Sequence, residues 1–171
     1  MVFLVRKITR TKRLQGAELD KTECRDIPAD AITIDLKTNN NALSVWWIAS
    51  DTDLPEVVLA LSSNMEHLNK IEVVYINEQD LLDQGMIVDS ERNGLTAVTS
   101  LAQIHRDIAE MTWTTLGKFA CAVLNALKNN QDRCYSRSAV KGILNEAILN
   151  GRLDKAALKP SMAQQFPSSE A

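Results

Sequence analysis

The stretch ALSVWWI, residues 42–48, sets Trp46 beside Trp47. On an extended strand neighbouring side chains point to opposite faces. Leu43, Val45 and Trp47 therefore share one face, and Ser44, Trp46 and Ile48 share the other. Leu43 and Val45 make theirs the more consistently apolar face, which assigns Trp47 to a core. Trp46 then needs a cover of its own. Either helices lie on both faces of the sheet, or a partner protein covers the ring. In the second case Trp46 becomes a binding hot spot, because a large amphipathic ring gives much contact area at little entropic cost.

The residues around this stretch frame a β-rich region. VFLVRKI (2–8) is rich in β-branched and aromatic residues and reads as a strand. Residues 9–30 read as a long polar connection. AITIDLKT alternates, NNN at 39–41 supplies turn residues that tolerate a left-handed backbone, and a hairpin of 31–37 with 42–48 is expected. SDTDLPE then opens a helix over 54–69, with Asp53 as cap, Pro55 in the first turn and Glu56 at capping-box spacing. KIEVVYI (70–76) is a strong strand pattern, and MIVDS after Gly85 a short one.

Beyond Gly94 the apolar spacing changes to that of helices. Leu101, Ile104, Ile108 and Met111 form one stripe. Leu116, Phe119, Ala120, Val123, Leu124 and Leu127 form a second, and Val140, Ile143, Leu144, Ala147 and Ile148 a third, capped by Ser136 or Ser138 and closed by Gly151. RLDKAALKP adds a short turn stopped by Pro160. The expected class is α+β: a small antiparallel or mixed β-sheet in the N-terminal half with one helix, then a C-terminal helical subdomain of three to four helices. The expected boundaries are 1–95 for the β-rich domain, 96–160 for the helical subdomain packed on it, and 161–171 for a disordered tail.

Length and charge narrow the classes of function. A chain of 171 residues can bury a full core without disulfides or metal staples. The three cysteines, Cys24, Cys121 and Cys134, are odd in number and form no CxxC, which suggests reduced thiols and a cytoplasmic location. No apolar run approaches the roughly 18 residues of a membrane span, and MVFLVRKITR has its charges after its apolar run, the reverse of a signal peptide. The net charge of −3 is unevenly spread: residues 1–13 carry five basic residues and no acid, and residues 14–95 carry five basic against sixteen acidic.

Most familiar chemistry lacks its residues. There is no GxGxxG and no Walker A loop. IHRDI (104–108) contains the His-Arg-Asp of protein-kinase catalytic loops, but no glycine-rich loop precedes it, no DFG follows, and its stripe places it on a helix. His67 and His105, the only histidines, have no second ligand at i+3 or i+4 and are expected at the solvent rim. Asp51 and Asp53 form a D-x-D that would suit a divalent cation, although helix capping already explains Asp53. No cofactor is implied.

The expectation is a non-enzymatic partner-binding or regulatory protein of the cytoplasm, such as a complex subunit or a toxin-neutralising protein. Its contact residues would be Trp46 with the acidic Glu78, Asp80 and Asp83. The partner is another protein, with a second copy of the chain as an alternative. A second reading is nucleic-acid association through Arg10, Lys12 and Arg13, where phosphate contacts would make binding strongly salt-dependent. A third is a metal-dependent enzyme built on Asp51 and Asp53.

Overall fold

The computed structural model describes residues 2–9, 23–27 and 35–166. Six strands form one sheet: β1 (Phe3–Ile8), β2 (Leu43–Ile48), β3 (Ile71–Asn77), β4 (Ile87–Asp89), β5 (His105–Ala109) and β6 (Asp132–Tyr135). Their order is β4-β5-β2-β1-β3-β6, and every neighbouring pair is antiparallel. The helices are α1 (Leu54–Ser62), α2 (Glu78–Leu82), α3 (Thr99–Ala102), α4 (Trp113–Lys128), α5 (Arg137–Leu149) and α6 (Pro160–Ala163). The fold is α+β.

Both faces of the sheet are covered. On one face Val5, Trp46, Ile48, Ile71, Val73 and Tyr75 pack with Val57 and Val58 of α1, Leu101 of α3 and Val140 and Leu144 of α5. On the other face Leu4, Ile8, Leu43, Val45, Val74, Ile76 and Ile108 pack with Leu81 of α2 and Phe119 and Ala120 of α4. Of the two covers open to Trp46, helices or a partner protein, the fold supplies helices, with a layer on each side of the sheet. Trp47 joins the second face half-buried, with the Arg106 guanidinium 5.8 Å from its ring.

Several local expectations hold. Ser136 accepts the Ala139 N–H at the start of α5, and Gly151 ends that region at φ 68°. Gly85 follows α2 at φ 79°. Asn40 and Asn41 take positive φ of 50° and 56°, as the NNN turn requires.

Others need correction. The half after residue 95 is not all helical: it contributes β5 and β6 to the sheet, which runs across the boundary read there. Within the stripe of Leu101, Ile104, Ile108 and Met111 only Thr99–Ala102 is helical, because residues 105–109 fill the sheet position between β2 and β4. The two long helices α4 and α5 do not bundle with each other but cover opposite faces of the sheet.

The expected hairpin also fails in its described part. Residues 31–34 lie outside the described residues, and β2 pairs instead with β1 and β5. The chain at Asp35 meets β2 through Arg6, whose guanidinium donates to the Asp35 carbonyl at 2.9 and 3.1 Å and to the Ser44 carbonyl at 2.6 Å. Helix α1 stops at Ser62 rather than residue 69. There the Ser62 and Ser63 hydroxyls bond back to the Leu59 and Ala60 carbonyls, an alternative to continued helix. Residues 161–166 are packed rather than a loose tail, for Met162 and Phe166 are buried in the first core; residues 167–171 lie outside the described ones.

Candidate functional site

Trp46, read as a surface anchor, is a core residue at 5% exposure. Its register partner on β5 is His105, and the two rings stand edge to face with centroids 5.4 Å apart. Gly94 closes over the indole so tightly that an added Cβ would lie 2.5 Å from Cη2. His105, expected at the rim, is buried with it.

One step along the same two strands, Ser44 faces Asp107. The Ser44 hydroxyl donates to Asp107 Oδ1 at 3.2 Å. His105 Nδ1 lies 3.1 Å from the Arg92 carbonyl, so this nitrogen carries the proton and donates. These residues line a cleft of about 340 Å³, with Leu61 and Leu95 among its apolar walls. The His-Arg-Asp tripeptide therefore lies on a strand, with His105 and Asp107 turned into the cleft and Arg106 to the other face.

On the second face a different feature stands out. Trp113, the first residue of α4, is 86% exposed. Thr112 caps the helix by accepting the Thr115 N–H, which fixes the direction in which the first turn leaves the sheet. Four residues on, where a side chain would cover the indole, stands Gly117, and a Cβ there would meet nothing within 4 Å. Beside Trp113 a hollow of about 280 Å³ is lined by Thr38, Asn41, Met111, Thr112 and Leu116. The Met111 N–H holds the Asn41 carbonyl at 2.7 Å and so fixes the NNN turn as its wall.

The acidic residues named from the sequence belong to this side of the molecule. Glu78, Asp80 and Asp83 lie on or just after α2, which packs against α4. Asp80 and Asp83 are exposed and Glu78 is half-buried. Lys118 of α4 donates to the Gln84 carbonyl at 2.8 Å, tying the two helices together. Leu82, 41% exposed, adds an apolar residue between the acids.

The remaining candidates separate. Asp51 and Asp53 serve a capping turn: Asp53 Oδ2 accepts the Ser50 N–H at 3.1 Å, and the Ser50 hydroxyl donates to Asp51 Oδ1 at 3.4 Å. Among the described residues no group of three His, Cys, Asp or Glu side chains is placed to hold a metal ion, and no helix is long and apolar enough to cross a membrane. Arg10, Lys12 and Arg13 lie outside the described residues. Cys24, Cys121 and Cys134 are free thiols, and burial with the neighbouring Cys24 thiol pushes Cys121 up to about 11.

Trp113 escaped the sequence reading because it falls outside the apolar stripe that marks α4 as a helix. The signal was its place directly after a Thr cap, in a first turn whose i+4 position is glycine. Comparison with family models, with curated proteins and with solved structures finds no match.

Proposed function

We propose that this is a partner-binding protein that docks another protein through the surface centred on Trp113. The observation that carries the reading is a tryptophan left 86% exposed on the first turn of a sixteen-residue helix. Trp is strongly enriched among residues that dominate binding energy, and a surface indole held on a rigid helix pays little entropy on docking. The hollow beside it gives a partner side chain somewhere to enter. Asp80, Asp83 and Glu78 add negative charge on the same side, which favours a partner whose contact surface is basic around an apolar centre. The odd count of cysteines supports a cytoplasmic setting for this exchange.

The test is affinity capture from the native cells with wild type and Trp113→Ala in parallel, followed by calorimetry on the recovered partner. Removal of a central tryptophan is expected to cost at least about 2 kcal/mol, or roughly 30-fold in affinity. Equal affinity of the two forms would refute the reading. Capture that vanishes on nuclease treatment would favour nucleic-acid association instead.

A further inference from the structure

We propose that the cleft between β2, β5 and the 92–95 loop is a binding site for a primary ammonium group carried on a short apolar chain. The site lies on the opposite face from Trp113 and stands independently of that docking surface.

Its centre is Asp107, whose side chain is 7% exposed. Among the described residues this carboxylate accepts one hydrogen bond, the 3.2 Å contact from the Ser44 hydroxyl on Oδ1. Two nitrogen atoms nearby stand off. Arg92 Nη1 is 3.8 Å from Oδ2, and His105 Nε2 is 3.8 Å from Oδ1. Charge-assisted hydrogen bonds close to about 2.7–2.9 Å, so both lie at ion-pair distance without a hydrogen bond. A buried carboxylate has about four acceptor sites and is costly to leave short of donors. Arg92, 61% exposed, reaches Asp107 from the solvent side.

His105 adds a second acceptor. The Arg92 carbonyl can only accept, so His105 Nδ1 donates to it, and in the neutral ring Nε2 presents its lone pair beside Asp107. His105 Nε2 and the Ser44 oxygen flank Asp107 Oδ1 at 3.8 and 3.2 Å, and all three residues line the cleft. Such a set of acceptors matches the three tetrahedral N–H donors of a primary ammonium.

The surrounding charge favours a cation. Asp89 is the register partner of Asp107 on β4, which places a second acidic residue beside it on the same face of the sheet. The cleft's volume of about 340 Å³ suits a small ligand. Trp46, Leu61 and Leu95 offer apolar wall to its chain.

Butylammonium is the probe, with tetramethylammonium at equal ionic strength as the cation without N–H donors. Butylammonium is expected to raise the melting temperature in a saturable way and to shift the His105 ring signals in NMR, while tetramethylammonium does neither. Asp107→Asn, which keeps the side chain's size, abolishes both responses. Ser44→Ala, at an exposed position, leaves the fold intact and weakens binding several-fold. The proposal is overturned if both cations act alike, if Mg²⁺ or Zn²⁺ alone produces the Asp107-dependent shift, or if butylammonium leaves the His105 signals of wild type and Ser44→Ala unmoved.

Discussion

Gly94→Ala places one methyl group where the first core has no room. The new Cβ would lie 2.5 Å from Trp46 Cη2, 3.0 Å from Cζ3 and 2.9 Å from His105 Cβ. Carbon atoms at rest keep about 3.5–4.0 Å, so something must retreat by an ångström. The indole cannot easily do so: it is 5% exposed and stands edge-on to the buried His105 ring. The loop is also held, by the Gly94 N–H on the Ala102 carbonyl at 2.9 Å and by His105 Nδ1 on the Arg92 carbonyl at 3.1 Å. Overpacking of this kind costs about 1–3 kcal/mol. For a chain of this length that lowers the melting temperature by roughly 2–12 °C. Gly142→Ala is the internal control, since a Cβ there meets nothing within 4 Å and the position is inside α5. Removing that helical glycine is expected to stabilise by about 0.5–1 kcal/mol. Scanning calorimetry of the two variants against wild type decides the matter. A Gly94→Ala protein that melts at or above wild type would refute the close packing of this loop on Trp46.

Three further outcomes follow from the same structure. Phe166→Ala should cost about 3–5 kcal/mol in urea unfolding, because the ring is 3% exposed in the first core; a loss under about 1 kcal/mol would return residues 161–166 to the tail expected from composition. Cys121, half-buried and with its thiol held up to about 11, should resist iodoacetamide at neutral pH while Cys24 and Cys134, both exposed, react; equal labelling of all three in the folded state would contradict that raised value. The same thiol sets a pH dependence. Unfolded, it releases its proton near 9, and folded it holds the proton to about 11, so stability is whole below 9 and falls as pH rises from 9 to about 11. Urea midpoints across that range, compared with those of Cys121→Ala, should show a steeper fall in wild type.

Some of this was legible in the residues and some was not, for reasons that can be named. Adjacent tryptophans on an alternating strand demand cover on both faces; the sequence left open whether helices or a partner covers Trp46, and the structure supplies helices. Long stripes also spoke clearly: α4 and α5 follow their apolar spacing, with Ser136 and Gly151 at the ends of α5. Short segments did not. Leu101, Ile104, Ile108 and Met111 fit a helical period, yet the pairing of residues 105–109 with β2 prevailed over it. β6 reads Asp-Arg-Cys-Tyr, which carries no alternation, and becomes a strand by pairing with β3. The cleft was invisible because Ser44 and Asp107 meet across sixty-three positions of sequence. The exposure of Trp113 depends on where the first turn of α4 stands relative to the sheet, which no periodicity reports.

The measurement that tests the central claim most directly is photo-crosslinking in the native cells with a photoreactive phenylalanine analogue at position 113. Position 149 is the control, since Leu149 is also exposed, at 71%, but ends α5 on the other face. The account predicts one discrete protein adduct from position 113 and none of that mass from position 149. No adduct from 113, or the same adducts from both positions, would contradict it.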